Sequence, residues 1–595
     1  ETPDHTVVFD QDVTVSTEFG VSGTVTSDVI VNGNLTIDQP LTIDGNLTVH
    51  GDVTLSGTGS LTVNDNLTIF GSANISIPAL VTVTNNVILD GQNGATASVN
   101  FVTGSNLSAS DVTIRNYQPT TSGTVGVNLE GIIDIDNLSI VNNAGADGTA
   151  AVGSVAVNLA GSMTVKGDVF ITTNVGGDGN GDTAGVGNAG GEAVVIAGTL
   201  TVGKELAIID NLSGITAAST GTAVGGTGVD AVRLTGAITA TNITLRENCG
   251  GDGTAGSGTD QNGGTGGHGV NFDHAAATTI RAYADMVMIN NEGGDGGNGT
   301  ATNSDGGNAG QAVLVGANTT IVVDANATVR DNQGGDGGNG AGTGTNGNGG
   351  DGLSIVGTVK VNDRLVLESN SGGAAGTGVA GAGAPGKNFD GSNTVIGDVI
   401  VNGNVTVDQD LTIDDNLTVH GNLTLSGTAT LTVNKDLTVF GSVNIPASTI
   451  VTVKNDILFD GQEENRTVSI AGNIVGANFG SDPTDPGVNN VIIRNYAPAG
   501  TSPAVSIINS VVTLGSVLFE NNRGNGTDVI NASVYLNTVS VLTAPLIDAG
   551  NGISFKDNEG VGYGITVRGN SAHTTANSVP VIRAVAGDII FTGNK

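Results

Sequence analysis

Apolar residues recur in pairs two positions apart near the start of the chain, and the pairs repeat every six residues. The clearest pairs are Val29/Val31, Leu35/Ile37, Leu41/Ile43, Leu47/Val49 and Val53/Leu55. Because successive side chains of a strand point to opposite sides, both members of a pair face one side and the enclosed residue, usually Thr, faces the other. Gly with Asn or Asp follows most pairs and turns the chain. The pattern predicts short strands separated by tight turns.

Strands this short, at a strict six-residue spacing, cannot form independent hairpins, but they can form the sides of a solenoid. Three units make a coil of about 18 residues, and successive coils stack at about 4.8 Å. The predicted fold is all-β: a single long parallel β-helix solenoid with three short strands per coil and glycine-rich inserts at its corners. We expect a right-handed helix, because three-strand coils with long corner inserts are more common in that hand.

A tandem duplication underlies this pattern. Residues 29–92 and 399–462 align without a gap, and VTIRNYQP at 112–119 matches VIIRNYAP at 491–498. We predict four segments. These are 1–28, N-terminal strands that lead into the solenoid; 29–143, a first β-helix repeat of hexad coils; 144–394, coils with stacked glycine-rich loops; and 395–595, the second copy, with hexad coils and then 36-residue coils.

An asparagine ends each of the longer modules, following an apolar-x-apolar-x-x pattern. The ten residues are Asn143, Asn174, Asn211, Asn248, Asn291, Asn332, Asn370, Asn522, Asn558 and Asn594. Equivalent corners of a solenoid stack on one another, so we predict a structural Asn ladder whose amides satisfy backbone groups at the turn. A binding role for these residues is the weaker interpretation.

Glycine-rich inserts follow the asparagine in seven successive modules, for example GGDGNGDTAGVGNAGG at 176–191. Stacked corners should bring these inserts side by side as a ridge. Two interpretations are open. The inserts are flexible loops, or they pack as parallel extended polyglycine strands, since glycine permits close approach of one backbone to another.

Four acidic residues occupy equivalent GGDG positions in these inserts: Asp178, Asp252, Asp295 and Asp336. In stacked loops their carboxylates would lie within about 5–10 Å of one another. Like charges at that distance shift their pKa values or bind cations, and calcium suits oxygen-rich turns. These aspartates are therefore candidate calcium ligands, with solvated loop residues as the other interpretation. No cofactor is required by the sequence.

The composition limits the kind of core, the partners and the classes of function that the chain can have. The 595 residues include 96 glycines, no Trp and only 3% aromatics, so the core must be thin and aliphatic. The net charge of −37 argues against nucleic acid as a partner. No apolar stretch reaches 18 residues, so we expect no transmembrane helix. The single cysteine, Cys249, precludes an intrachain disulfide. The opening Glu1-Thr2-Pro3 is expected either of a mature form from which any signal peptide has been removed or of a shortened chain.

We identify no catalytic residue. His50 and His420 are isolated, and Arg is sparse. β-Helices that cleave polysaccharides use clustered acids and basic residues with aromatics to stack sugars. We therefore expect a protein that is not an enzyme. The alternative is a carbohydrate-binding or polysaccharide-cleaving β-helix protein.

The tetrapeptides FENN (519–522), FKDN (555–558) and FTGN (591–594) resemble the F-x-x-N repeat of chlamydial polymorphic outer-membrane proteins. That family consists of autotransporters with β-helical passengers and adhesive roles. Its companion G-G-A motif is absent in exact form, and GGEAVVI at 190–196 comes nearest. The hexads resemble bactofilin solenoids and haemagglutinin-type passengers, and the inserts resemble mycobacterial glycine-rich repeats.

These resemblances imply a secreted protein of a bacterial cell surface. The expected function is that of a non-enzymatic structural protein, a rigid rod that acts as a self-associating filament or surface-layer subunit or as an adhesin-like passenger. We see no amphipathic capping helix, and an uncapped β-helix end is an open sheet edge that favours end-to-end association. The expected partners are further copies of the chain, or a host or cell-surface receptor or glycan.

Overall fold

The computed structural model describes part of the chain. The described residues are 6–18, 23–75, 79–92, 97–149, 151–180, 187–218, 224–257, 261–273, 275–300, 303–377, 384, 387, 390–391, 394–462, 464–476, 490–499, 503–507, 511–513, 516–524, 534–537, 547–549, 553–560, 565–568, 582–584 and 588–594. Within them the one helix is α1, Val15–Glu18, a single turn. No described helix has the length and apolarity that a membrane crossing needs.

All other regular elements are strands. The first are β1 Val7–Phe9, β2 Val13–Thr14, β3 Gly23–Val25, β4 Val29–Val31, β5 Leu35–Ile37, β6 Pro40–Ile43, β7 Leu47–Val49, β8 Val53–Leu55, β9 Ser60–Val63, β10 Leu67–Ile69, β11 Ala73–Ile75, β12 Leu80–Val83, β13 Val87–Asp90, β14 Val99–Phe101, β15 Asn106–Arg115, β16 Val127–Leu129 and β17 Ile132–Val141. The coils with long inserts hold β18 Val157–Leu159, β19 Ser162–Val165, β20 Val169–Thr172, β21 Val194–Ile196, β22 Thr199–Val202, β23 Glu205–Ile209, β24 Val232–Leu234, β25 Ile238–Ala240, β26 Asn242–Arg246, β27 Val270–Phe272, β28 Thr278–Ala282, β29 Met286–Ile289, β30 Val313–Val315, β31 Thr319–Val323, β32 Asn326–Arg330 and β33 Ser354–Ile355.

The later strands follow the same order of short elements. They are β34 Thr358–Glu368, β35 Asp390–Gly391, β36 Thr394–Asn402, β37 Val405–Val407, β38 Leu411–Ile413, β39 Leu417–Val419, β40 Leu423–Leu425, β41 Thr430–Val433, β42 Leu437–Val439, β43 Val443–Ile445, β44 Ile450–Val453, β45 Ile457–Asp460, β46 Val468–Ile470, β47 Asn473–Gly476, β48 Val491–Arg494, β49 Val505–Ile507 and β50 Val511–Thr513. The last are β51 Val517–Glu520, β52 Arg523–Gly524, β53 Val534–Asn537, β54 Ile547–Ala549, β55 Ile553–Lys556, β56 Glu559–Gly560, β57 Ile565–Arg568, β58 Ile582–Ala584 and β59 Ile589–Thr592.

The chain divides into two compact units. Unit 1 comprises residues 1–354 and 370–387, and unit 2 comprises residues 355–369 and 388–595. In the hexad coils of unit 1 each strand pairs in parallel with the strand three places later: β3 with β6, β4 with β7 and β5 with β8. The hexad coils of unit 2 repeat this as β37 with β40, β38 with β41 and β39 with β42. The predicted parallel β-helix with three strands per coil is confirmed in both units, and its handedness stays a prediction.

A thin aliphatic core runs through the hexad coils. In β7, Leu47 and Val49 are buried and Thr48 between them is half-exposed, and β4 and β10 show the same alternation. Equivalent residues lie 18 and then 20 positions apart in the hexad coils. The spacing rises to 31, 37 and 43 where glycine-rich inserts intervene. The inserts therefore lengthen the corners of a coil while its three strands remain short.

Four strands differ from the predicted pattern of short strands: β15 and β17, together with β34 of eleven residues and β36 of nine. β15 and β17 are each ten residues long, and their apolar positions pair with two different faces of the neighbouring coils. Only Ser110 and Asp111 separate the two buried pairs of β15, whereas three residues, as in Asn-Gly-Asn, separate the pairs of the hexads. Because this connection is one residue shorter and lacks glycine, the strand continues around the corner.

Candidate functional site: the asparagine ladder and the glycine array

A residue in the left-handed backbone region precedes each ladder asparagine. Thr173, Asp210 and Glu247 have φ values of 55°, 56° and 56°. This conformation costs a residue other than glycine roughly 1–2 kcal/mol, and Asn and Asp tolerate it best. It persists at Thr173 and Glu247 because the asparagine that follows is held by several hydrogen bonds.

An asparagine within a ladder bridges three coils. Asn174 donates its side-chain N–H to Oδ1 of Asn211 at 3.0 Å and to the carbonyl of Ile140 at 3.3 Å, and its backbone N–H also reaches Oδ1 of Asn211 at 3.1 Å. Asn211 repeats this arrangement with Asn248. Asn174, Asn211 and Asn248 are fully buried. Their amides satisfy the stacked turns, which is a structural role.

The ten sequence-predicted asparagines form two such ladders. Unit 1 holds Asn143, Asn174, Asn211, Asn248, Asn291, Asn332 and Asn370, and unit 2 holds Asn522, Asn558 and Asn594. The F-x-x-N motif of unit 2 combines this ladder with an aromatic stack. Phe555 lies 4.9 Å from both Phe519 and Phe591, measured between ring centroids.

A tyrosine takes the first position of each ladder, which the sequence analysis did not predict. The backbone N–H of Tyr117 donates to Oδ1 of Asn143 at 3.1 Å, and its hydroxyl donates to the carbonyl of Gly71 at 2.9 Å. Tyr496 makes the equivalent bonds to Asn522 and Gly441. Both rings are fully buried. The available signal was the sequence Arg-Asn-Tyr that the two copies share.

A buried carboxylate fixes each tyrosine corner. Asp90 accepts hydrogen bonds from Arg115 at 2.8 Å and from Asn116 at 2.9 Å, and Asp460 does the same with Arg494 and Asn495. Burial opposes ionisation of Asp90, but hydrogen bonds from Asn116, from the backbone of Gln92 and from Arg115 outweigh it and hold its pKa below the ordinary value.

The glycine-rich inserts of unit 1 form an ordered structure that we call the glycine array, the described parts of the inserts between Ala144 and Thr377. Each insert has an outgoing arm, such as 292–300, and a returning arm, such as 303–311. Hydrogen bonds link arms of both kinds in a continuous line. The line runs Gly350 to Gly335, Gly335 to Gly310, Gly310 to Gly294, Gly294 to Gly267 and Gly267 to Gly251, at 2.8–3.1 Å.

A second line of the same kind lies three residues away, after the first-line glycine on each outgoing arm and before it on each returning arm. It runs Gly347 to Gly338, Gly338 to Gly307, Gly307 to Gly297 and Gly297 to Gly264, at 2.7–2.9 Å. A three-residue repeat of extended backbone is the period of a polyproline II helix, not of a β-strand. The described residues of the inserts therefore agree with packed extended backbone and not with flexible loops.

Close packing explains why the array needs glycine. A Cβ atom placed on Gly294 would lie 2.1 Å from the carbonyl oxygen of Gly251. The same distance is 1.9 Å for Gly310 against Gly267, and 2.0 Å for Gly338 against Gly297. Contacts below 3.0 Å to a backbone atom do not occur without movement, so no other residue fits these positions.

Several exposed Asp and Asn side chains, three residues apart along an arm, each accept a backbone N–H from the next coil. Oδ1 of Asp252 accepts from Asp295 at 2.8 Å, and Oδ1 of Asp295 accepts from Asp336 at 2.6 Å. Oδ1 of Asp336 accepts from Ala374 at 2.6 Å. Asn298 does the same for Asn339 at 2.7 Å. These carboxylates and amides therefore cap donors at the surface of the array.

The structure brings together three of the four candidate calcium ligands. Asp252, Asp295 and Asp336 lie on successive coils, whereas Asp178 bonds to the backbone of Ile215, which occupies the coil between it and Asp252. In the described part of the chain no group of three or more His, Cys, Asp or Glu side chains is arranged to hold a metal ion. Calcium at these aspartates stays a prediction.

Neighbouring carboxylates perturb one another in the centre of the array. Partial burial raises the pKa of Asp295, and the charges of Asp252 and Asp336 add to the effect. Burial also raises the pKa of Cys249 to about 11, together with the charges of Glu292, Asp252 and Asp295. The Cys249 thiol is thus protonated at neutral pH and is a poor nucleophile.

A scan against protein-family models and searches of curated proteins and of solved structures found no significant match to the chain. The resemblances to chlamydial surface proteins, to bactofilins and to other bacterial passengers accordingly rest on the short motifs described above.

Proposed function

We propose that the chain is a non-enzymatic, extracellular structural protein of a bacterial surface. It acts as a stiff β-helical scaffold, either as a self-associating filament or surface-layer subunit or as an adhesin-like passenger. The observation that carries the proposal is the glycine array, an ordered surface on the side of a solenoid whose hexad coils form without such inserts.

The features of the glycine array favour a role in binding a partner over a role in catalysis. Its carboxylates already serve the backbone, since Asp252, Asp295 and Asp336 each accept an amide hydrogen bond from the next coil. Its exposed positions recur every third residue on arms that are fixed by hydrogen bonds. Such a surface presents side chains at regular spacing with little conformational freedom to lose, which favours association with an extended partner.

Electron microscopy and sedimentation velocity of the purified protein, over a range of concentrations and with or without chelator, test self-association. We expect assemblies that Gly338→Ala weakens, because the substitution disrupts the array, and that Gly403→Ala leaves intact. A Cβ atom on Gly403 would have nothing within 4 Å. Dispersed monomers at every concentration would argue against a filament or surface-layer subunit and leave the adhesin-like passenger.

Incubation with a panel of polysaccharides, followed by detection of released sugars, tests the non-enzymatic part of the proposal. Turnover of any polymer by the purified protein would contradict it and favour a polysaccharide-cleaving β-helix. Binding without turnover would leave the non-enzymatic part of the proposal intact.

A further inference from the structure

A polar groove of about 500 Å³ lies on the outer surface of unit 1, over strands β8, β11, β14 and β16. Its floor is formed by the outward side chains Thr54, Asn74, Asn100 and Asn128, one from each successive coil. Thr124, from the loop between β15 and β16, contributes to one side. The groove therefore follows the stacking direction of the solenoid.

A second, exposed row of asparagines runs along this floor. Asn74 pairs in register with Asn100, and Asn100 with Asn128. The side-chain nitrogen of Asn100 donates to Oδ1 of Asn74 at 3.3 Å, and that of Asn128 donates to Oδ1 of Asn100 at 3.0 Å. All three side chains are half-exposed. Asn158 continues the row by donating to Oδ1 of Asn128 at 2.8 Å, and Asn128 also donates to Glu130 at 3.3 Å. A carboxamide has two N–H groups and two lone pairs, so Asn100 keeps one N–H and one lone pair for a ligand in the groove, and Asn128 keeps one lone pair.

The duplicated copy shows that the coils do not require this row. Asn444 is equivalent to Asn74, and it pairs in register with Ser469, which pairs in turn with Ser506. Serine thus occupies the two positions that Asn100 and Asn128 take in unit 1, on strands with the same neighbours. Since the same coil architecture forms with serine, a requirement of the fold does not explain the asparagines.

The chemistry of the groove selects a neutral, hydroxyl-rich ligand. Asp52 is the only charged residue among the described residues that line it, and no basic residue does, so an anionic ligand would not be held. Val99 points into the core, which leaves Val125 as the one lining side chain able to anchor an apolar group. Carboxamides and hydroxyls, by contrast, match the mixed donors and acceptors of sugar hydroxyls.

We propose that this groove binds a segment of a neutral polysaccharide that lies along the stacking direction, with successive sugar hydroxyls bonded to Asn74, Asn100 and Asn128. Carboxamides repeated once per coil, at about 4.8 Å, suit a ligand that is itself a repeating chain. This activity goes beyond the proposed scaffold function and needs only one copy of the protein.

Ligand-observed saturation-transfer NMR and calorimetry with cellohexaose, xylohexaose, mannohexaose and maltohexaose test the proposal. At least one of these neutral oligomers should bind the full chain. The double variant Asn100→Ser with Asn128→Ser, which copies the second repeat, should weaken binding about tenfold, corresponding to the loss of one or two hydrogen bonds. Asn444→Ser, the matched substitution in unit 2, should leave binding unchanged.

Three results would overturn the proposal. They are the absence of saturation transfer from all four neutral oligomers, equal affinity of the double serine variant, and stronger binding of an acidic oligogalacturonate than of any neutral oligomer. Circular dichroism of the double variant should match the wild type, because serine is already present in the equivalent coils. Sedimentation of the same samples keeps the result separate from the scaffold proposal, since loss of binding should not alter assembly.

Discussion

Oδ1 of Asn211 accepts hydrogen bonds from both the backbone and the side-chain nitrogen of Asn174, 37 residues earlier in the chain. One carboxamide thereby satisfies two buried donors of a neighbouring coil, while its own nitrogen is satisfied by the carbonyl of Ile171 and by Asn248. The ladder links consecutive coils at one corner. A substitution in it should therefore destabilise the coils on both sides of the substituted position.

Asn211→Ala should reduce stability by roughly 2–4 kcal/mol, because it leaves several buried polar groups without partners. Hydrogen exchange of the amides in the coils of Asn174 and Asn248 is the appropriate measurement, since repeat proteins can unfold locally. Asn64→Ala, at an exposed position, is the control and should cost no more than about 0.5 kcal/mol. Equal protection in the two variants would contradict the structural role of the ladder.

Gly294→Ala should disorder the glycine array around it without unfolding the strands. The new methyl group would clash with the carbonyl of Gly251, and overpacking of this kind costs about 1–3 kcal/mol. Limited proteolysis should cleave the inserts of this variant faster, while circular dichroism keeps its β-sheet signal. Gly403→Ala serves as the control. Unchanged proteolysis of Gly294→Ala would argue against close packing of the arms.

Asp295 offers a test of whether its carboxylate acts as a backbone acceptor. Asp295→Asn keeps an oxygen for the amide of Asp336 and removes repulsion from Asp252, so it should stabilise the array by a few tenths of a kcal/mol. Asp295→Ala removes the acceptor and should destabilise it by about 1 kcal/mol. Hydrogen exchange of the amide of residue 336 distinguishes the two. If both variants behave alike, the acceptor role is wrong.

Calcium binding at Asp252, Asp295 and Asp336 can be checked with the same variants. A resident ion should raise the wild-type melting temperature in a chelator-sensitive way, and Asp295→Asn should lose that increase while keeping its fold. If wild type and variant show the same melting temperature with calcium and with chelator, these aspartates do not hold the ion.

When the pH falls, the tyrosine corner at Asp90 and the glycine array around Asp295 should change in stability in opposite directions. The pKa of Asp90 is lowered in the folded protein, so its contribution to stability is present above the ordinary carboxyl pKa and is lost as the pH falls through the folded value. The pKa of Asp295 is raised, so the array gains stability as the pH falls through that value. Hydrogen exchange of Tyr117 and Asp336 between pH 3 and 7, about the range over which carboxyls titrate, reports the two regions separately. Asp90→Asn should abolish the response at Tyr117 and leave that at Asp336.

Cys249 should react slowly with thiol reagents. With a pKa of about 11, its thiolate fraction at pH 8 is roughly a hundredfold below that of a free cysteine. The rate of alkylation by iodoacetamide as a function of pH measures this directly. Glu292→Gln removes one of the charges that disfavour the thiolate and should shift the profile to lower pH. A wild-type profile centred near pH 8.5, the ordinary value for cysteine, would contradict the environment described here.

The sequence was sufficient for the fold because the deciding pattern is local. Apolar residues two positions apart, such as Leu47 and Val49, specify which side of a strand is buried, and a strict six-residue period leaves only a solenoid. The Asn ladder was also predictable, since recurrence at one corner implies stacking. The glycine inserts were not, because flexible and packed polyglycine have the same composition.

Relationships that depend on coil-to-coil register lay beyond the sequence. The spacing of equivalent residues changes from 31 to 37 to 43 along unit 1, so the neighbours of Asp178 could not be counted from GGDG motifs alone. The reach of Tyr117 to Gly71, across 46 residues, likewise has no local signal. The neighbours of Asp178 and the Tyr117–Gly71 hydrogen bond both depend on the register between stacked coils.

Adjacent residues of the glycine array differ in how freely they can be substituted. At Gly294 and Gly310 only glycine fits, whereas one position in three tolerates residues as different as Leu212, Cys249 and Glu292, which occupy equivalent places on successive coils. Substitution at these third positions can convert an apolar patch to an acidic one without disturbing the backbone beneath. The outer surface of the array can therefore change one residue at a time during evolution while its backbone architecture stays the same.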